Sequence, residues 1–189
     1  MNKKFIFTGP PNAGKTSIRL FFFEKTSPTE ILLPKSLEPT RGVNWVSYKH
    51  SGHNLGVCDC SGQEIVQILK DSDLFRGSDA IIYQFDVSDL DDEERKGEYL
   101  DYLIQLIKIK HEVEEQYDIF ILCHKIDLIK ENKLESTKEE MINLITNTVM
   151  KEFGDDCGII IRFTSLKPVF TEYTHELLER IVTYELAIV

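Results

Sequence analysis

Short runs of β-branched and aromatic residues alternate along this chain with longer segments whose apolar positions recur at three-four spacing. That alternation implies a mostly parallel sheet covered by helices on both faces. Phe5-Ile6-Phe7-Thr8 predicts a strand ending at Gly9, and Ile18, Leu20, Phe21 and Phe22 predict a largely buried helix from Lys15 to about Lys25. Three prolines and no clear period make Ser27 to Arg41 a long loop, ordered or switching. Val43 to Lys49 and Leu55 to Cys58 read as strands joined by a turn at Ser51-Gly52-His53-Asn54, an antiparallel pair at one edge. Asp59 to Ser78 is irregular, and Ala80 to Phe85 is a buried strand.

The second half repeats the alternation. Leu100, Leu103, Ile104 and Ile107, with His111 at the end of the stripe, line one face of a long helix. Ile119 to Cys123 is almost continuously apolar, as expected of a strand covered on both faces. Met141, Leu144, Ile145 and Val149 mark a helix ending near Gly154. Gly158 to Phe163 is the last strand, and Thr171 to about Leu186 the last helix. The pattern therefore predicts an α/β fold with about six strands.

Composition narrows the function. The 189 residues are 42% hydrophobic and 29% charged, enough for one cored domain. With 22 Lys+Arg against 32 Asp+Glu the net charge is −10, which disfavours nucleic-acid binding and unaided adsorption to an anionic membrane. The acidic clusters Asp89 to Glu94 and Glu112 to Glu115 read as solvated helix faces and loops. Cys58, Cys60, Cys123 and Cys157 lack paired metal-ligand spacing and read as buried, reduced thiols. Neither end carries a signal peptide, a myristoyl acceptor or a prenylation cysteine, and no apolar run would span a bilayer. The expectation is a cytoplasmic protein with no direct lipid anchor.

Gly9-Pro10-Pro11-Asn12-Ala13-Gly14-Lys15-Thr16 has the glycines, lysine and hydroxyl of a phosphate loop, placed between a predicted strand and a predicted helix. Such a loop aims successive N–H groups at phosphate, backed by the positive end of a helix. The donors from Asn12 through Ala13, Gly14, Lys15, Thr16 and Ser17 survive the two prolines, which have no N–H. Lys15 would neutralise the β- and γ-phosphates, and the Thr16 hydroxyl would ligate Mg²⁺. Asp59-Cys60-Ser61-Gly62-Gln63 follows a strand. There Asp59 could hold the water shell of the metal, Gly62 offer its N–H to a γ-phosphate, and Gln63 orient an attacking water. Read alone, Asp59 is equally a strand-ending turn residue.

His124-Lys125-Ile126-Asp127 addresses the base. A carboxylate at Asp127 accepts two N–H donors from the guanine edge, whereas adenine would leave it unpaired. Lys125 would lay its stem beside the base. After the last strand, a backbone N–H from Thr164-Ser165-Leu166 could meet the guanine oxygen. In the long loop, Thr40 could close over the γ-phosphate and give Mg²⁺ a second hydroxyl, or simply begin a strand.

These elements, in this order, resemble a small GTPase of the Ras superfamily over essentially the whole chain, nearest the Rag/Gtr group. That group has a His-Lys-x-Asp base motif, as in His124-Lys125-Ile126-Asp127. Gly14-Lys15-Thr16-Ser17-Ile18-Arg19, Leu74-Phe75-Arg76-Gly77 and Phe163-Thr164-Ser165 are similar too. The resemblance implies a phosphate-loop G domain over 1–189, GTP or GDP as bound nucleotide, Mg²⁺ on Thr16, Thr40 and Asp59, and slow hydrolysis served by Lys15 and Gln63. It also implies GTPase-activating and exchange proteins as partners, with a second GTPase or a roadblock-type protein met in trans. The resemblance is to the G domain, so no counterpart of the C-terminal roadblock domain of the Rag proteins is expected within these residues; Ser61 stands where the group commonly has Gly or Pro, and Cys58 replaces its usual Trp. Two other readings remain at the level of sequence: a nucleotide-bound scaffold with little hydrolysis, and a phosphate-loop kinase, for which no acceptor lid is visible.

Overall fold

The computed structural model describes residues 2–33, 37–113, 117–154 and 158–187. Pro34, Lys35 and Ser36 of the long loop, with Glu114, Glu115 and Cys157, which enter the expectations above, lie outside the described residues.

Among the described residues six strands form one sheet in the order β2-β3-β1-β4-β5-β6. They are β1 (Asn2–Thr8), β2 (Val43–His50), β3 (His53–Cys60), β4 (Ala80–Asp86), β5 (Asp118–His124) and β6 (Ile159–Thr164). The hairpin β2–β3 is antiparallel and every other pairing is parallel. The four-residue turn expected there is only two residues long, because Ser51 (φ 48°) and Gly52 (φ 80°) both take the left-handed conformation that matches strand twist. The sheet has the mostly parallel α/β architecture expected from the sequence.

Four longer helices cover it: α1 (Lys15–Phe23), α5 (Glu93–Glu112), α6 (Leu134–Phe153) and α7 (Pro168–Ala187). Among the described residues between α1 and α5 lie three one-turn helices, α2 (Pro28–Ile31), α3 (Ile65–Ile68) and α4 (Ser72–Phe75). They correct the two segments read as loop and irregular chain. Ser27, for instance, accepts the Thr29 N–H and Pro28 occupies the first helical position, so one turn is nucleated locally.

Side-chain alternation along the strands divides the interior into two cores. Phe5, Phe7, Leu55, Val57, Ile82 and Leu122 pack toward α1 and α7. Ile6, Cys58, Cys60, Ile81, Tyr83 and Ile121 pack toward α5 and α6. The buried face of α5 is Tyr99, Leu103, Leu106, Ile107 and Ile109. His111 is exposed and stacks on Phe153, so the stripe does not extend to it. The acidic stretch before α5 is not merely solvated. Asp92 caps the helix by accepting from Glu94 and Arg95 N–H groups, and Asp89 accepts from Tyr99 and Arg95. Cys58, Cys60 and Cys123 are buried and free, as expected of reduced thiols.

The sheet is wound outward from β1. The chain runs to β3 on one side of it and to β4 on the other. In such sheets a crevice opens where the winding reverses, outside the carboxyl ends of the strands. The segment leaving β1 there is Gly9 to Gly14.

Candidate functional site

The loop from Gly9 to Gly14 closes on the N-terminus of α1. Gly14 is the N-cap at φ 87°, and no side chain caps the helix, so its first N–H groups are offered to the crevice. Lys15 is buried, and its ammonium donates to the Gly9 (2.8 Å) and Pro10 (2.7 Å) carbonyls. Burial pushes this amine down to about 8, against the opposing pull of Asp59 and Cys60. A cation held this way is strapped across its own loop.

Three residues remote in sequence meet beside it. Thr16 donates its hydroxyl to Asp59 Oδ2 at 2.8 Å and lies 2.9 Å from the Thr40 hydroxyl. Since the Thr16 proton is committed to Asp59, Thr40 is the donor between the two hydroxyls. Asp59 is 1% exposed and its Oδ1 is buried with no hydrogen-bond partner. A buried orphan carboxylate oxygen costs free energy unless a cation or a donor arrives. With two hydroxyls alongside, it forms a hard oxygen donor set of the kind that suits Mg²⁺. Arg19 supplies the other charge on Asp59, donating from Nε to Oδ2 at 3.2 Å, and its far end holds Glu24 and the Tyr48 hydroxyl of β2.

A cleft of about 580 Å³ opens over these groups. Asn12, Gly14, Lys15, Thr16 and Ser17 form its floor, Thr40 and Leu37 come from the long loop, and Gly62 and Gln63 close the third side. Gln63 is exposed. Gly62 lies so near the two prolines that an added Cβ would stand 2.5–2.6 Å from Pro10 and Pro11 atoms. The two loops are joined where the Ser61 N–H donates to the Gly42 carbonyl and the Gly42 N–H to Glu64.

The residues predicted to read the base form a second group. His124 is buried, with Nδ1 2.9 Å from the Thr164 hydroxyl and its ring against the Cα side of Gly14. Burial, aided by the Lys125 cation and only partly opposed by Asp86, pushes the imidazole down to about 3, so it is neutral. Lys125, at φ 62°, donates to the Asn12 carbonyl (2.8 Å) and Asp86 (2.6 Å). Asp127 is half-buried and its Oδ1 accepts from the Ser165 hydroxyl at 2.5 Å. The Ser165 N–H, one of the donors expected to face the base, is taken by the Thr174 hydroxyl, and the Leu166 side chain is buried in the core. Lys125 lines the cleft, whereas Asp127 and Ser165 do not. The phosphate-side and base-side groups are therefore bridged through Lys125 and Asn12.

A profile of the Gtr1/RagA G protein conserved region matches residues 4–172. The chain belongs to the Gtr1/RagA G protein family. The GTP-binding protein GTR1 of Saccharomyces cerevisiae is 27% identical over 157 residues, which make up 80% of this chain and 48% of GTR1. The chain thus spans about half the length of that curated relative. A chain from the structure of the mammalian SRP receptor superposes with a TM-score of 0.66 at 14% identity, covering 95% of this chain and 100% of the other. That likeness is one of fold.

Two residues that touch the candidate site of this Gtr1/RagA-type chain escape sequence reading. Arg19 looks like a polar helix position, and its partners Asp59 and Tyr48 are distant in sequence. Gln84 looks like an interruption in an apolar strand, yet its side chain donates to the Ala13 carbonyl of the phosphate loop at 2.6 Å. Among the described residues, no helix is long and apolar enough to cross a membrane.

Proposed function

We propose that this chain is a GTP- and GDP-binding regulatory switch, a single G domain over 1–189 that hydrolyses GTP slowly. The observation that carries the reading is the meeting of Thr16, Thr40 and the orphaned Asp59 carboxylate beside Lys15, at the open end of α1. Backbone N–H groups from Asn12 to Ser17 would bind the phosphates, with Lys15 released from its carbonyls to pair with them. Thr16 and Thr40 would hold a magnesium ion directly and Asp59 through water, and the bound ion would neutralise phosphate charge. Gly62 would offer its N–H to the γ-phosphate, and Gln63 would orient the attacking water. Asp127, held by Ser165, would accept the guanine N1 and 2-amino donors, with His124 and Lys125 fixing the loop behind it and Ser165-Leu166 at its flank.

Proteins that accelerate hydrolysis or exchange would act on the loops around Thr40 and Gln63, and a second GTPase or a roadblock-type protein would be met in trans. The site is cytoplasmic in this reading. A nucleotide-bound scaffold is the second reading, favoured by the contact of Gly62 against Pro10 and Pro11, which resists movement of that loop.

The test is direct. Nucleotide released from the purified, heat-denatured protein should be GDP or GTP by chromatography, and GTP should compete with bound nucleotide where ATP does not. Asp127→Asn should weaken GTP and GDP by roughly a hundredfold while xanthine nucleotides, with a carbonyl at position 2, gain. Equal competition by ATP would end the guanine assignment.

A further inference from the structure

We infer that Gln84 is a positioning residue for the phosphate loop, aiming the Gly14 N–H at the β-phosphate; this rests on the nucleotide-binding reading above. Gln84 is 0% exposed and sits on β4 one residue beyond the last paired position, Thr8↔Tyr83, where β1 gives way to the loop. Its neighbours Ile82, Tyr83 and Phe85 are buried core residues, so an amide at this point has no solvent to satisfy it. The Nε2 group donates to the Ala13 carbonyl at 2.6 Å, while Oε1 is buried without a partner. An apolar residue would fill this space without an orphaned oxygen, so the amide is kept for what its donor does.

The donor acts through peptide geometry. A trans peptide is planar, and its C=O and N–H point in opposite directions. Fixing the Ala13 carbonyl toward β4 therefore turns the Gly14 N–H away from β4, and Gly14 lines the cleft. Lys125 acts likewise one peptide earlier, holding the Asn12 carbonyl and so directing the Ala13 N–H. Gln84 also braces the start of the loop through its backbone. A Cβ on Gly9, at φ 135°, would stand 2.0 Å from the Gln84 carbonyl oxygen, so the chain passes in direct contact.

The prolines raise the importance of this tether. Pro10 and Pro11 have no N–H, leaving the loop only the donors from Asn12 onward to meet the phosphates. His124, which packs beside Gln84 against the same side of Gly14, commits Nδ1 to Thr164 and touches the loop with its ring. The hydrogen bond to Ala13 comes from Gln84 instead.

The experiment compares GDP with GMP, because only GDP has the phosphate that the Gly14 N–H would serve. Wild type, Gln84→Leu and Gln84→Met should be titrated with both nucleotides under one magnesium concentration, with melting of the nucleotide-free proteins followed in parallel. Both variants should fold and lose about tenfold in GDP affinity, with GMP within about twofold of wild type. The phosphorus resonance of the GDP β-phosphate should shift in the variants while that of the α-phosphate stays. Equal losses for GDP and GMP would overturn the inference, since a merely structural role acts on both alike. So would unchanged GDP binding, or failure of both variants to fold, because an amide that acts only on the loop is dispensable for folding. Wild type that binds neither nucleotide would sink the nucleotide-binding reading itself, a result distinct from the other three.

Discussion

At the scale of single residues, two buried groups pull stability in opposite directions with pH. His124 titrates at about 3 in the fold against 6.5 when free. Between those values the unfolded chain binds more protons than the folded one, so stability rises with pH and is complete above 6.5. Glu185, in the last turns of α7, is 3% exposed with a buried, unpartnered Oε1. Burial, assisted by Asp118 and Asp79 and opposed by Lys3, pushes its carboxyl up to about 7 from 4.5. There the folded chain binds more protons between 4.5 and 7, so stability falls as pH rises through that window. Between pH 4.5 and 6.5 the two effects oppose each other. In nucleotide-free protein, Glu185→Gln should leave the His124 slope uncovered. The variant's stability advantage should grow by up to about 1.4 kcal/mol per pH unit from 4.5 to 7. Urea unfolding across that range measures it, and an advantage independent of pH would show that Glu185 ionises normally.

At the scale of elements, the central strands were legible because helices cover both faces, and runs such as Ile119 to Cys123 leave no polar alternation. The long helices were legible by period. The one-turn helices α2, α3 and α4 were not, since four residues carry no period and their geometry is set by caps and by what they pack against. The candidate site was legible where chemistry lies in contiguous motifs, as from Gly9 to Thr16 and from His124 to Asp127. It was illegible where one side chain reaches across the fold, as Gln84 reaches Ala13 and Arg19 reaches Asp59 and Tyr48. The two loops that carry Thr40 and Gln63 meet each other through the Ser61–Gly42 and Gly42–Glu64 hydrogen bonds. A γ-phosphate that engages Thr40 and Gly62 would therefore order both together. Amides from Leu37 to Gly42 and from Gly62 to Leu74 should exchange with deuterium faster in the GDP complex than with a non-hydrolysable GTP analogue. Amides of β1, β4 and β5 should not change. Equal exchange in both complexes would favour the static scaffold.

At the scale of the whole molecule, hydrolysis depends on where its cations are. Transfer of the γ-phosphoryl group gathers charge that a glutamine-oriented water does not neutralise, and an arginine finger is the usual remedy. The chain has six arginines, and none lines the cleft. Arg19 is nearest, but it is buried and spends its guanidinium on Asp59, Glu24 and Tyr48. Arg41 follows Thr40 and is exposed at the entry to β2, while Arg76 pairs with Asp73. Arg95 pairs with Asp89 and Asp92, and Arg180 lies beside Glu176. Arg162 turns onto the Ile161 carbonyl of β6. The described residues ahead of Thr40 in the loop, Leu37, Glu38 and Pro39, offer no cation either. With Lys15 and the Asp86-paired Lys125 as the cations lining the cleft among the described residues, the isolated chain should turn over GTP at about 10⁻³ s⁻¹ or below. Gln63→Leu should slow it further and leave GTP affinity nearly unchanged, because the water-orienting contact belongs to the transition state. Single-turnover assays would check both numbers. A rate near one per second would mean that a cation already reaches the phosphates in cis. Arg41 would then be the first to replace, since it directly follows Thr40 in the chain and is exposed.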